Sequence, residues 1–388
     1  MKRKIIITVD YEIFGNGTGD VRQHVVGPTR RMEEIADKHG IPLIIFFELE
    51  EYLAFERHAE LLRNQLGYSP AALMREQAQD LARGGHDIQL HLHPEWYEAR
   101  LEDGRWRLGA TRTVDDLFES QEETTRYIGE RKAMLETLIN LGKPDRKVQV
   151  YRAGAFAAQP GRKLLTALAE NGISIDSSVV KGLVHGGKTE RRKQKTEISK
   201  NTNSDGPALD YRDAPCAKGP WRVKDDVARE DKSGKIWEFP IYSVMRRRMH
   251  QATPRRLRAK FSGIVPKHRQ KEMAHQLGLT ANPFQMLRFL WQPVPIKLDF
   301  HNVSPLKLLK WIRSAPAPLN GEPDVIVLIG HTKEHIADRP FEQLLRLIKE
   351  DPALQVVSFS EVARLLPSSR ERVQLGDVME PLMEANGR

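Results

Sequence analysis

Runs of apolar residues separate the polar segments of this chain, and four of these runs have the pattern of β-strands. Residues 5–9 (Ile-Ile-Ile-Thr-Val) and 325–329 (Val-Ile-Val-Leu-Ile) are nearly continuous apolar runs, as in strands buried on both faces. Residues 87–93 alternate polar and apolar side chains, and a short run at 148–151 precedes Arg152. The pattern therefore predicts four strands of an α/β sheet.

Each predicted strand ends in residues that can do chemistry. In chain order they are Asp10 and Glu12, His91 and His93, Arg152, and His331. In a parallel barrel the site residues lie at the C-terminal ends of the strands. We therefore expect a barrel-like sheet in which these side chains converge.

The two histidines are the most informative of these residues. A period of two places His91 and His93 on one face of their strand, and Pro94 ends the strand because it cannot donate to a sheet ladder. Such a pair is half of a divalent-metal site, although alone it is more often an exposed polar face. Asp10 and Glu12 also share a face, and buried acids need a cation or donors to receive them.

This residue set suits metal-assisted hydrolysis. A metal held by two histidines and one carboxylate keeps a position open for water, as in hydrolytic zinc sites. A second carboxylate can take a proton from that water, and His331 can protonate the leaving group. Arg152 would orient the base and keep it ionised. The residues leave open which of Asp10 and Glu12 is the base and which the ligand.

The ordered set resembles the motif series of the polysaccharide deacetylase (NodB-homology) family of carbohydrate esterases. Four further segments resemble other parts of that family: residues 45–47, 172–178, 236–240 and 356–361. The resemblance therefore extends from Lys4 to about Leu366. The resemblance implies a distorted (β/α) barrel that removes acetyl groups from sugars with a bound divalent metal, usually zinc. It implies that Asp10 is the base, His331 the acid, and His91 and His93 metal ligands. Glu12 as third ligand follows from strand parity.

Three departures indicate a divergent branch of that family. Tyr11 stands where the family commonly has a second aspartate, and the histidines are two residues apart instead of four. After Arg152 the chain continues Gly154-Ala155, where the family has glycine and proline.

Other residues near strand ends have two interpretations each. Trp96 either stacks on a sugar ring or closes the end of the barrel. Asp176 either binds substrate or caps a helix. Asp299 and His301 follow an apolar run and are expected to support His331 or to bind substrate.

The composition indicates the class of protein and the cellular compartment. The 388 residues are 40% hydrophobic and 29% charged, as in an ordinary globular enzyme. Cys216 is the single cysteine, which excludes an internal disulfide and suits a reducing compartment. There is no signal-peptide pattern and no apolar run of membrane-spanning length. The sequence therefore predicts a cytoplasmic protein.

The chain is predicted to form one barrel-like domain, residues 1–368, with a tail at 369–388. A polar insertion is expected at 181–235 and a basic, helical one at 244–295. The formal net charge of +9 is concentrated in the second insertion. Basic and aromatic residues together favour peripheral contact of this insertion with an anionic membrane. Nucleic acid is less favoured as a partner, because no recognised nucleic-acid-binding module is present. The alternative is that the insertion is a solvated lid without a partner.

The sequence thus predicts a metal-dependent hydrolase that deacetylates a nucleotide-linked or lipid-linked sugar, in a pathway that makes surface-polysaccharide or glycolipid precursors. One alternative keeps the barrel and metal but cleaves another C–N bond, such as that of a cyclic amide or ureide. A second is a catalytically inactive barrel that binds sugar.

Overall fold

Strands and helices alternate along much of the chain. The computed structural model describes residues 2–185, 209–251, 288–318 and 323–366. The strands in these ranges are β1 (Arg3–Tyr11), β2 (Ile44–Glu48), β3 (Asp87–Leu92), β4 (Arg100–Glu102), β5 (Arg105–Arg107), β6 (Val150–Ala153), β7 (Ile175–Asp176), β8 (Val184–His185), β9 (Leu209–Asp210), β10 (Trp221–Val223), β11 (Ile236–Glu238), β12 (Ser243–Arg247), β13 (Pro293–Lys297), β14 (Val325–His331) and β15 (Leu354–Val356). The α-helices are α1 (Gly27–His39), α2 (Leu49–Arg57), α3 (Ala59–Leu66), α4 (Pro70–Gly84), α5 (Gln121–Asn140), α6 (Arg162–Glu170), α7 (Pro305–Arg313), α8 (Asp338–Glu350) and α9 (Phe359–Ala363).

Nine of the strands form one curled sheet. Its order is β10-β11-β7-β6-β3-β2-β1-β14, and β15 also pairs with β1. All neighbours are parallel except β10 and β11. Ile241, just after β11, forms a parallel bridge to Val327 of β14, which brings the two ends of the sheet together. The fold is therefore the predicted α/β class, a distorted (β/α) barrel.

The alternation of side chains along β1 separates two apolar cores. Ile5, Ile7 and Val9 face outward and pack in the core that includes the surrounding helices, whereas Ile6 faces the barrel interior. The interior core also contains Phe46 of β2 and Phe359 of α9, whose rings are 6.2 Å apart. This apolar floor lies below the polar residues that end the strands.

Strand register places those polar ends side by side. Asp10 pairs with His331 across β1 and β14, and His91 pairs with Arg152 across β3 and β6. His91 also pairs with Glu48 at the end of β2. The predicted convergence at the C-terminal ends of the strands is thus built into the hydrogen-bonded pairing of the sheet.

The regions expected as insertions are packed where the structure describes them. In the first, β10 extends the main sheet and Tyr211 is buried. In the second, β12 and β13 form an antiparallel pair (the β12–β13 hairpin), and Val244 and Ile296 at its base pack into the outer core. Most of the segment predicted to be helical lies between these strands, in residues that the structure does not describe. Residues 186–208, 252–287 and the tail 369–388 lie outside the described residues. Among the helices that are described, none is long and apolar enough to span a membrane.

Phe359 tests whether α9 closes the barrel floor. Its side chain is fully buried and contacts Phe239 at a ring distance of 5.4 Å. We expect Phe359→Ala to lower the free energy of unfolding by about 3–5 kcal/mol, measured by denaturant titration, because the cavity cannot fully collapse. The control is Leu365→Ala, at a side chain that is 57% exposed, with an expected change of about 0.5 kcal/mol or less. Equal, small changes in both variants would contradict the role of α9.

Candidate metal centre

The six polar residues that end the strands meet at the mouth of the barrel, and all are buried. Their exposed fractions are 2% for Asp10, 5% for Glu12, 1% for His91, 5% for His93, 0% for Arg152 and 8% for His331. Groups of this polarity are buried only when partners receive them, so their contacts define what the site can do.

Glu12, His91 and His93 form a set of metal-ligating atoms. Glu12 Oε2 lies 2.7 Å from His93 Nε2 and 3.7 Å from His91 Nε2. All three atoms lie within 4.8 Å of one another. Three donor atoms that converge on one point are what a bound cation requires, whereas a proton on His93 Nε2 can bridge that atom to Glu12.

Both histidines have the tautomer that a metal ligand needs. His91 Nδ1 donates to the carbonyl oxygen of Arg152 at 2.9 Å, and His93 Nδ1 lies 3.2 Å from Glu95 Oε1. A carbonyl and a carboxylate only accept, so each Nδ1 carries hydrogen and each neutral ring presents its lone pair at Nε2. Such partners commonly orient metal-ligating histidines.

The ring of His93 is a site of competition between a proton and a metal. Burial disfavours its charged form, but the carboxylates of Glu12 and Glu95 outweigh burial and raise the pKa of His93 well above its usual value. A cation bound at Nε2 would displace that proton, so affinity for metal should fall as pH falls.

Lys333 fixes the third ligand. Its ammonium group donates to Glu12 Oε1 at 2.7 Å and to the carbonyl oxygen of Ile13 at 3.0 Å. Burial raises the pKa of Glu12, yet Lys333 and His93 hold it well below its usual value. The carboxylate is therefore ionised, with one oxygen on Lys333 and the other facing the histidines.

Asp10 has a different cationic partner, Arg152. Arg152 donates to Asp10 Oδ1 at 2.6 Å and to Thr8 Oγ1 at 3.0 Å. The rest of the guanidinium binds the carbonyl and hydroxyl oxygens of Ser177, and its face lies 3.9 Å from the centre of the Phe46 ring. Burial raises the pKa of Asp10, but Arg152 and the nearby histidines lower it below its usual value. Asp10 is thus an ionised carboxylate in a fixed position.

His331 faces the second oxygen of Asp10. Its Nε2 lies 3.5 Å from Asp10 Oδ2, and its Nδ1 lies 3.7 Å from Asp299 Oδ2. The backbone N–H of His331 donates to His301 Nδ1 at 3.1 Å, and His301 in turn contacts His335. The expected supporting residues, Asp299 and His301, therefore do lie beside His331. Burial lowers the pKa of His331 and Lys297 lowers it further, so the ring is neutral near pH 7.

The side chains of Trp96 and Asp176 are directed away from this cluster, which does not favour the substrate-binding interpretation of either. Trp96 is 1% exposed and packs on Trp106 at a ring distance of 5.1 Å, which corresponds to the structural alternative. Asp176 pairs in register with Tyr151, whose side chain packs in the outer core. Asp176 therefore points away from the barrel interior, where its neighbour Ile175 packs.

Sequence reasoning missed three charged residues around Glu12. Lys333 lies in the turn after β14, where strand parity no longer predicts direction. Glu48 and Glu51 appear in the sequence as an acidic helix start, and Glu48 does cap α2 by accepting from the N–H groups of Glu50 and Glu51. Glu51 accepts from the N–H of Ile13, and burial together with the charge of Glu12 raises the pKa of Glu51 to about 8.

A second group with metal-ligand composition, Glu33, Asp37 and His86, has the wrong tautomer. His86 Nδ1 accepts from the N–H of Leu43 at 3.1 Å, so its hydrogen is on Nε2, the atom 3.3 Å from Asp37 Oδ1. With Nδ1 accepting from Leu43 and hydrogen on Nε2, the neutral ring has no lone pair left for a cation.

No family model and no curated protein matches this chain. Solved structures give distant similarities. The 4-alpha-glucanotransferase from Thermococcus litoralis is 13% identical with a TM-score of 0.45, covering 94% of this chain and 41% of that one. A "putative polysaccharide deacetylase" from Mycobacterium smegmatis is 14% identical with a TM-score of 0.43, covering 94% and 90%. The Puue allantoinase is 11% identical with a TM-score of 0.40, covering 93% and 89%. This chain thus spans less than half of the glucanotransferase. Membership of the deacetylase family remains a prediction from motif order.

Gly154 provides a test of the ligand set that changes no ligand. A Cβ atom at Gly154 would lie 2.4 Å from Cγ of His93, so Gly154→Ala must displace that ring. We expect affinity for Zn²⁺ to fall on the order of 10–100-fold, as for changes that misorient ligands, measured by competition with a chromophoric chelator. The control is Gly15→Ala, since a Cβ at Gly15 meets nothing within 4 Å. Unchanged affinity in Gly154→Ala would remove His93 from the site.

Proposed function

We propose that this protein is a zinc-dependent hydrolase that removes an acetyl group from a sugar. The observation that carries the proposal is the division of two buried carboxylates. Glu12 directs an oxygen at two histidine lone pairs, while Asp10 is bound by Arg152 and faces His331. One acid is thus available as a ligand and a separate one as a base.

The donor set fits zinc. Two neutral imidazoles and one carboxylate are the protein ligands of hydrolytic zinc sites that keep a position open. When bound, the metal would supply a Lewis acid that activates water and polarises the acyl oxygen. His91, His93 and Glu12 would hold it, with Lys333 and Glu95 fixing the orientation of two of them.

Asp10 is the residue that we assign as general base. Its carboxylate is ionised because Arg152 lowers its pKa against the effect of burial. Oδ1 is occupied by Arg152, so Oδ2 is the atom that can accept a proton from an attacking water.

His331 is the residue that we assign as general acid. Its Nε2, 3.5 Å from Asp10 Oδ2, is close enough for a proton gathered by Asp10 to pass to the ring with a small movement. The neutral resting state of His331 suits a residue that receives a proton and then gives it to the leaving amine or alkoxide.

The class of substrate is inferred from the order of the motifs along the sequence. We propose an acetylated sugar that is nucleotide-linked or lipid-linked, in a surface-polysaccharide or glycolipid precursor pathway of the cytoplasm. The single cysteine supports a reducing compartment. The second candidate keeps the barrel and the metal but cleaves another C–N bond, such as that of a cyclic ureide. The inactive sugar-binding barrel is the non-enzymatic alternative, and it is favoured by Tyr11 and the spacing of the histidines, which depart from the deacetylase pattern.

The proposal is tested by metal content and turnover in the same variants. Purified protein should contain stoichiometric zinc and release acetate from at least one member of a panel of acetylated sugars, with cyclic amides and ureides tested beside them. Asp10→Asn should keep the metal and lose turnover by about 10²–10⁴-fold, because the base is gone and the ligands remain. His91→Ala combined with His93→Ala should lose the metal while staying folded.

The control for the histidine pair is His39→Ala combined with His58→Ala, two histidines that are outside the ligand set. Metal retained by the His91/His93 variant would remove the basis of the function. Turnover only on the cyclic substrates would select the second candidate. A metal-containing protein without any turnover would favour the inactive barrel.

Lys297 tests the role of His331 through the pH profile. The acid works in its protonated form, so the lowered pKa of His331 should place the basic limb of the rate profile below the usual histidine range. Lys297→Met removes a positive charge that disfavours the imidazolium, so the pKa of His331 should rise and the basic limb should move to higher pH. Lys310→Met, the same change at an exposed position of α7, should leave the profile unchanged. A basic limb at the same pH in Lys297→Met and in the unchanged protein would exclude His331 as the titrating acid.

A further inference from the structure

The hairpin of β12 and β13 is anchored at one end and exposed at the other. At its base Ser243 pairs with Lys297, and the hydroxyl of Ser243 donates to the carbonyl oxygen of Lys181 at 2.9 Å. Val244 and Ile296 are buried there. At the far end Arg247 pairs with Pro293, and both residues are exposed. The hairpin thus leaves the barrel as a supported, projecting element.

The charges at the exposed end have one sign. Residues 243–251 and 288–297 contain four arginines and one lysine but no aspartate or glutamate. Among the described residues, no carboxylate forms an ion pair with Arg246, Arg247 or Arg248, in contrast to most basic side chains near the strand ends. An uncompensated basic surface of this kind attracts an anionic partner.

The arginines are held with their hydrogen-bonding edges available. The guanidinium of Arg247 lies 3.9 Å above the ring of Trp291, and that of Arg248 lies 4.0 Å above the ring of Phe289. Stacking occupies the face of a guanidinium, and at the exposed Arg247 it leaves the in-plane N–H groups available for the two oxygens of a phosphate, whereas Nε of Arg248 is buried. The partner is therefore expected to carry phosphate groups.

Exposed apolar side chains accompany these charges. Met245 is 54% exposed, Met249 is 43% exposed and Trp291 is 51% exposed. Arg246 lies 5.9 Å from the ring of Trp311 in α7, and the same helix presents Leu306 at 64% exposure. Flexible aliphatic side chains and an amphipathic tryptophan beside arginines suit the boundary between lipid headgroups and acyl chains. Nucleic acid would instead need free aromatic faces for its bases, and here arginines cover the rings of Trp291 and Phe289 on one side.

We infer that the exposed end of the β12–β13 hairpin, with the start of α7, docks this protein on an anionic phospholipid surface. Phosphates of the headgroups would bind the stacked arginines, and Met245, Met249 and Trp291 would enter the interface. The inference does not depend on the metal or on the reaction.

The test is sedimentation of the full chain with vesicles, without metal or substrate. The protein should bind vesicles of equal parts phosphatidylcholine and phosphatidylglycerol and bind pure phosphatidylcholine much more weakly. Arg246→Gln combined with Arg247→Gln should weaken binding to the anionic vesicles on the order of 30-fold, since each basic residue near such a surface contributes about fivefold. Because both side chains are exposed, the melting temperature should not change.

A matched control exists on the exposed hairpin of β4 and β5. Arg105→Gln combined with Arg107→Gln in β5 makes the same charge change on a two-stranded sheet, where Glu102 lies opposite, and should leave vesicle binding unchanged. No binding to anionic vesicles, or equal losses in the two double variants, would overturn the inference. Tighter binding to duplex DNA than to the vesicles, lost in the Arg246/Arg247 variant, would assign the surface to nucleic acid instead.

Discussion

The burial of the Arg152 guanidinium is the constraint on which the rest of the site depends. A fully buried cation must have all its donors received, and here Thr8 and Asp10 of β1 and Ser177 after β7 receive them, while Phe46 of β2 supports its face. One side chain of β6 thus ties together four segments of the sheet. Without Arg152, Asp10 would be an unpaired buried anion, and its pKa would rise until the carboxyl took up a proton. The apolar floor of Phe46 and Phe359 explains why the pair stays dry, and a dry pair is electrostatically stronger than an exposed one.

Each carboxylate of the site has its own cation, and this separates their chemistry. Arg152 binds one oxygen of Asp10 and Lys333 binds one oxygen of Glu12, so each acid presents a single remaining oxygen. Two buried carboxylates without such partners would share a proton, and neither would be dependably ionised. Each of these two ion pairs is electrically neutral as a unit. The Nε2 atoms of His91 and His93 then face the remaining oxygen of Glu12.

The parts of the site that follow strand parity could be predicted from the sequence. Asp10 and Glu12, like His91 and His93, face inward because side chains two residues apart share a face of a strand. Side-chain directions could not be predicted in turns and very short strands, where the alternation of a strand no longer applies. Lys333 lies in a turn, and its long side chain reaches back to Glu12 from a position with no periodicity. Asp176 lies in a strand of two residues, too short for its direction to be read from a pattern. The strands β12 and β13 at the two ends of the basic insertion were not predicted, because their arginines and apolar residues fit either period, and the burial of Val244 and Ile296 is visible only in the structure.

Register also explains why Glu12, and not residue 11, is the residue whose carboxylate faces the two histidines. Tyr11 pairs with Phe47, and the next residue of β2, Glu48, pairs with His91, so residue 12 is the position of β1 level with the first histidine. Tyr11 faces outward, where its hydroxyl donates to Gln77 at 3.0 Å and its ring stacks on Phe47 at 5.1 Å. A carboxylate at position 11 would point into the outer core, away from both histidines. Moving the acid one residue along the strand restores the inward direction, and the longer glutamate side chain spans the distance to His93. The departure at Tyr11 therefore changes which acid faces the histidines while leaving Asp10 paired with Arg152.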